Sequence, residues 1–218
     1  MSKENKPIEE LDVVTIRFAG DSGDGMQLTG NQFTTNSAIF GNDIATFPDF
    51  PAEIRAPAGS LAGVSSFQLQ FSSFDIHTPG DELDVLVAMN PAALKVHLKD
   101  LKANGMLLVN IANFTAKNLR LAGFEENPLE SDKLENYKLI EVDMNSLVFK
   151  ALEDLALSSK IMSRSTNMFA LGLLYWLYER KLDTTITFLN KKFKTKPEII
   201  DANTRALKAG YYYGETIE

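Results

Sequence analysis

Three glycines within six residues, Gly20-Asp21-Ser22-Gly23-Asp24-Gly25, mark the first place where residue type and spacing could do chemistry. Glycines leave backbone N–H groups bare, and at a helix start those donors and the helix dipole can hold an anion such as a phosphate. The pattern is G-x-x-G-x-G, not the G-x-G-x-x-G of dinucleotide folds, and no acidic residue closes a second strand where a ribose would need it; Asp43 lies in the turn before that strand. No Gly-Lys-Ser/Thr follows, which excludes a Walker loop. Asp21 and Asp24 would repel a phosphate unless they turn away or cap the helix. A tight strand-to-helix turn with an Asp cap therefore stands beside the ligand-binding reading.

Gly23-Asp24-Gly25 also invites a comparison with metal-mediated thiamine diphosphate binding. That arrangement needs asparagines downstream, and the corresponding window, Phe50-Pro51-Ala52-Glu53-Ile54-Arg55, contains none. Thiamine binding by this segment is rejected. The segment has its own candidate in Arg55, held in a Pro- and Gly-rich stretch and suited to a carboxylate or phosphate. Against this stands a surface arginine, or one tied to Glu53 or Asp49. His77 sits in a polar loop and His97 on a helix of mixed charge, where a solvated face is expected. Lys191, Lys192, Lys194 and Lys196 read as a solvated helix end.

These residues need a scaffold. Val13 to Ala19 is a β-branched strand, Met26 to Phe40 carries helical spacing, and Ile44 to Phe47 is a second strand, giving a βαβ opening. Ser65 to Ser72 alternates as a strand with one wet face does, whereas Asp84 to Met89 is an apolar run covered on both faces. Pro91 starts a helix reaching about Ala103, and Met106 to Ile111 is a strand after the Asn104-Gly105 turn. A polar excursion spans Glu125 to Asn136, a short strand Lys138 to Val142, and a helix begins near Asn145. Ser163 to Glu179 is a strongly apolar helix in which Asn167 suggests a start near a site and Gly172 a close backbone approach. From Pro197 through Tyr211-Tyr212-Tyr213 the pattern is a helix breaking up. The fold class is α/β: a three-layer αβα, Rossmann-like, mainly parallel sheet with some mixed strand character. Such sheets bind ligands at the carboxyl ends of their strands, where Gly20–Gly25 and Met89-Asn90-Pro91 fall.

Composition narrows the function classes. Among 218 residues there is no cysteine, so this chain can hold no disulfide, thiolate nucleophile or cysteine-ligated iron–sulfur cluster. Two histidines make a multi-histidine metal site improbable, and a net charge of −7 argues against nucleic acid as a partner. The polar N-terminus lacks an export segment and no run is long enough to span a membrane, so a cytoplasmic protein is expected.

Taken in order, Gly20 to Gln27 (GDSGDGMQ), Phe47 to Arg55 (FPDFPAEIR) and Asn167 to Gly172 (NMFALG) resemble the gamma-type domain of 2-oxoacid:ferredoxin oxidoreductases. The closer likeness is to the version fused at the N-terminus of the alpha subunit in 2-oxoglutarate-type enzymes, and it extends from Val13 to Tyr213. In the loop the family often has a Gly-Glu-Gly-Gly-Gln-Gly-like turn, where this chain has Asp21, Ser22 and Asp24. The resemblance implies an enzyme that decarboxylates a 2-oxoacid on thiamine diphosphate, passes electrons through iron–sulfur clusters to ferredoxin and delivers the acyl group to coenzyme A. Thiamine and clusters would belong to partners: a thiamine-binding beta subunit and the remainder of the alpha subunit, in an oligomeric assembly. This domain would serve assembly and coenzyme A access and be inert alone.

The implied organisation is a disordered lead-in over residues 1–11, the gamma-type domain over 12–205, and a junction toward a thiamine-associated domain over 206–218, with the stop at Glu218 fitting a fragment. From the placement of the loop, the expected ligand-binding residues are Gly20, Ser22, Gly23, Asp24, Gly25, Arg55 and Asn167, with no catalytic residue and no metal ligand. Two other classes stay open: a stand-alone nucleotide-binding Rossmann-like protein, and a non-catalytic interaction module.

Overall fold

The computed structural model describes residues 10–53 and 56–217. Six strands form one sheet: β1 (Val13–Asp21), β2 (Asp43–Asp49), β3 (Val64–Ser72), β4 (Leu83–Ala88), β5 (Leu101–Asn110) and β6 (Lys138–Val142), in the order β2-β3-β1-β4-β5-β6. β1, β4, β5 and β6 pair in parallel, while β3 is antiparallel to both of its neighbours. The opening is therefore a split unit. The helix α1 (Met26–Phe40) does connect β1 to β2, but β3 is inserted between them, which adjacent sequence spacing could not reveal.

Helices cover both faces, as a three-layer αβα fold requires. On one side Ile16, Phe18, Leu69, Val87 and Leu108 pack against α1 and a helical layer made by α4 (Met144–Ala151), α6 (Thr166–Leu177), α7 (Asp183–Lys192) and α8 (Pro197–Gly214). On the other, Leu86, Ala88, Leu107 and Val109 meet α2 (Pro91–His97) and α3 (Ala116–Leu121). The short α5 (Ser159–Arg164) precedes α6. The alternating sides taken by Leu86 and Val87 explain the unbroken apolar run of β4, which is buried on both faces.

Several local expectations need correction. The β3 alternation is real, but its polar side is buried rather than wet: Gln68 donates from Nε2 to the carbonyls of Pro79 and Gly80, 2.7 and 2.6 Å away. Beside it Arg17 donates from Nε to Gln68 Oε1 at 3.1 Å and forms an ion pair with Asp100, and its Nη1 lies 3.0 Å from His97 Nδ1. His97 is thus buried, not solvated, and burial together with the Arg17 charge lowers its pKa to about 4. α2 ends there, six residues earlier than its spacing suggested, because Leu98–Asp100 tighten into a 3-10 turn that brings Asp100 to Arg17. β5 then starts at Leu101, and Asn104, with a φ of 61°, lies in an irregularity of its pairing with β4.

The chain's end is one continuous helix of 18 residues, not a helix breaking up. α8 holds because small residues let it lie against α6. A Cβ at Gly172 would collide with the Leu207 carbonyl, and one at Gly210 with the Phe169 carbonyl. Ala206 and Leu207 are in the core, so position 206 lies inside a packed element. The stretch from Ser163 is likewise two helices, α5 and α6, with a break at Ser165. Among the described residues no helix is long and apolar enough to cross a membrane.

Candidate functional site

β1 ends at Asp21, and the glycine loop is built from its own backbone. The Asp24 N–H donates to the Asp21 carbonyl at 2.9 Å, and the Ser22 N–H to the Gly63 carbonyl at 3.1 Å. Gly25 then caps α1 with a φ of 77°, a left-handed conformation that suits glycine, and a Cβ there would strike the Asn167 side-chain amide. No side chain caps α1, so the N–H groups of its first turn have no intrahelical acceptor and carry the positive end of the helix dipole.

The two carboxylates do not cap the helix; both turn inward. Asp24 Oδ2 accepts from the Asp21 N–H at 2.8 Å, and Asp21 Oδ2 from the Gly59 N–H at 2.9 Å, with the Asn90 side chain also beside the Asp21 carboxyl. Burial raises both pKa values against the pull of these hydrogen bonds, that of Asp24 to about 6. Gly20 lies in β1 opposite Ser65, and a Cβ on it would crowd the Asp24 carboxyl and Met89. The Ser22 N–H is already committed to Gly63. Among the described residues, Gly23 and Gly25 retain N–H groups with no acceptor.

The loop borders a cavity of about 490 Å³ at the carboxyl ends of the strands. Asp21, Gly23 and Asp24 form one wall, with Met89 after β4 and Asn110 at the end of β5. Lys160 and Arg164 of α5 and Asn167 of α6 form the facing wall. Asn110 is a positioning residue: its Oδ1 accepts the Met144 N–H at 3.2 Å, and its Nδ2 donates to Asn145 Oδ1 at 3.0 Å, fixing the start of α4. Asn167 reaches the Gly25 carbonyl with Nδ2 at 3.5 Å, and its Oδ1 is buried and unpartnered.

The cations are the chemically telling part. Lys160 and Arg164 stand one helical turn apart, both exposed, and neither forms an ion pair among the described residues. Like charges at that spacing repel unless an anion lies between them. With Gly23, whose N–H has no acceptor among the described residues, lining the same cavity, the donor set suits a phosphate, and one oxygen of each carboxylate is engaged by a backbone N–H.

Sequence spacing therefore points to the loop and to Asn167 but misses Lys160, Arg164, Asn110, Asn113 and Asn145. Arg55 lies outside the described residues; Ala58, three positions later, lines the cavity. A basic pair at i, i+4 in Ser159–Arg164 was the one available signal.

Residues 15–213 match the family described as pyruvate ferredoxin/flavodoxin oxidoreductase. The chain is 56% identical over 210 residues to 2-oxoglutarate oxidoreductase subunit KorA of Mycobacterium tuberculosis, covering 96% of this chain and 32% of that protein. It thus spans about a third of the length of that curated relative. Among solved structures it is similar to 2-oxoglutarate:ferredoxin oxidoreductase from Magnetococcus marinus, determined with 2-oxoglutarate, coenzyme A and succinyl-CoA bound. The TM-score is 0.73 and the identity 25%, covering 96% of this chain and 32% of that one. A keto/oxoacid ferredoxin oxidoreductase gamma subunit from Geobacter sulfurreducens shares the fold over 93% of this chain and 99% of its own, with a TM-score of 0.62 and 18% identity.

Proposed function

The chain belongs to the pyruvate ferredoxin/flavodoxin oxidoreductase family, and from that footing we propose that it is one domain of a 2-oxoglutarate:ferredoxin oxidoreductase. The whole enzyme, in the cytoplasm, oxidatively decarboxylates the 2-oxoacid, forms the acyl-coenzyme A and reduces ferredoxin. This domain contributes assembly and access for coenzyme A. Thiamine diphosphate and iron–sulfur clusters reside in its partners, the rest of an alpha subunit and a thiamine-binding beta subunit; a chain without cysteine has no thiolate for a cluster.

One observation carries the coenzyme A assignment: two cations that form no ion pair among the described residues, Lys160 and Arg164, share a cavity with Gly23, whose N–H has no acceptor among them. In this reading those groups take the phosphates, while Asp21 and Asp24 stay folded into the loop. Asn167 Oδ1, buried and unpartnered at the same cavity, is an acceptor for an amide N–H of the ligand. Coenzyme A carries both phosphates and amides. The exposed aromatics on and beside the edge strand β2, Phe47 and Phe50, fit the accompanying role in assembly.

Calorimetric titration of the chain with coenzyme A tests the assignment, with Gly23→Val as the control. A Cβ at Gly23 meets no protein atom within 4 Å, so a side chain can be added there, beside the cavity, without a clash at its root. Saturable binding that weakens at least about tenfold in the variant is expected. No heat from the chain, together with unchanged coenzyme A affinity in a Gly23→Val whole enzyme, would sink it.

A further inference from the structure

A second cavity, of about 430 Å³, opens at the other end of the sheet, where β1 begins and β3 ends. It contains an arginine in an unusual state. α6 closes with the Glu179 N–H donating to the Trp176 carbonyl at 3.2 Å and the Arg180 N–H to the Tyr175 carbonyl at 2.7 Å. Glu179 adopts a φ of 54° at the left-handed position where helices usually place glycine. That turn drives Arg180 inward until only 4% of it is exposed.

Its guanidinium lies over the Phe40 ring at 4.2 Å and 5.2 Å from the centre of Phe71. Nη2 donates to Asn42 Oδ1 at 2.8 Å, and Nε is buried with no acceptor. No carboxylate pairs with Arg180 among the described residues. A buried cation without a counterion is a costly arrangement, and burial accordingly lowers the pKa of this one. The cavity walls beside it are mostly apolar: Val14, Phe71, Met106, Leu177 and Tyr178.

We propose that this cavity is a binding site for a monocarboxylate with an apolar body, whose carboxylate is taken by Arg180. The planar guanidinium fork matches a carboxylate, and the Phe40 and Phe71 rings beside it limit its freedom to move. The volume lies within the range of small-ligand sites, and the apolar walls suit a hydrocarbon or aryl body. Asp12 and Glu179 also line the cavity without pairing to Arg180, so a second negative charge on the ligand is disfavoured. The site therefore selects against dicarboxylates, and it is separate from the cavity at the glycine loop.

Titration calorimetry of the 218-residue chain with octanoate, 1-octanol and suberate tests this. Octanoate binds saturably, while the neutral alcohol and the dianion bind at least about tenfold more weakly. Arg180→Met abolishes the preference for octanoate over octanol. Because Arg180 also holds Asn42, a second variant, Ser73→Trp, fills the cavity from an exposed lining position and blocks octanoate with Arg180 intact. Octanol binding as tightly as octanoate, octanoate binding that survives Ser73→Trp, or no saturation by about 5 mM overturns the proposal.

Discussion

The Asp24 carboxylate accepts the main-chain N–H of Asp21 at 2.8 Å, so the glycine loop is tied shut by its own acid. The same residue that would repel an anion from the loop is spent on holding the loop's shape. This arrangement has a cost, because the carboxylate is largely removed from water, and that cost can be read as a pH dependence.

Asp24 titrates at about 6 in the folded chain against an ordinary value of 3.8. The folded state therefore holds the proton more tightly, and this group makes stability fall as pH rises from about 4 to about 6, with the loss complete above that. Asp24→Asn keeps an acceptor for the Asp21 N–H and removes the charge. Chemical denaturation at pH 8 is expected to show a gain of up to about 3 kcal/mol, vanishing near pH 4.

His97 works in the opposite sense. Its folded pKa is lowered to about 4 from 6.5 by burial and by Arg17, so the unfolded chain takes up the proton first and stability falls as pH drops from 6.5 toward 4. The Asp24 and His97 slopes oppose each other between about pH 4 and 6. In His97→Asn the Asp24 slope is left exposed, and denaturation midpoints should decline across that interval more steeply than in the unaltered chain.

Lys160→Ala and Arg164→Ala each remove an unpaired cation from the rim of the glycine-loop cavity. Calorimetry should show coenzyme A affinity falling about tenfold for each, while thermal stability moves by no more than about 0.5 kcal/mol because both side chains are exposed. Equal affinity in the double variant would remove the phosphate role from α5.

Gly210→Ala separates packing from function. Its Cβ would enter the Phe169 carbonyl across the contact of α6 with α8, so the helices must part. A loss of about 3 kcal/mol is expected in denaturant titration. Gly23→Ala, with open space around the added methyl, should stay within about 0.5 kcal/mol.

Much of this was legible in the chain because it is local. A glycine cluster between a β-branched strand and a helix has one topological place, and the apolar run at Val85–Ala88 identifies a strand covered on both faces. Asn167 was noticeable as a polar residue opening an apolar helix. The rest depends on contacts between distant residues. Nothing near Lys160 shows that α5 swings across to face Gly23, and the break at Ser165 that makes this possible is hidden in a continuous helical pattern. His97 looks solvated until Arg17, eighty positions earlier, is found 3.0 Å away. The steady α8 was obscured by its glycines, which read as breakers in sequence yet serve as the contact surface for α6.

The insertion of β3 beside β1 also bears on how the chain is made. β1 leaves the ribosome first of the six strands, but its partners on both sides, Val64–Asp21 pairing in β3 and Val85–Ala88 in β4, are synthesised well after it. The intervening β2 cannot shield it, since β2 pairs only with β3. A nascent chain that has emerged only as far as Asp49 thus carries two strands with bare hydrogen-bonding edges and without the strand that lies between them. Pairing can begin only once β3 has emerged through Ser72, because β3 is the neighbour that β1 and β2 share, and the parallel half of the sheet is added from β4 onward.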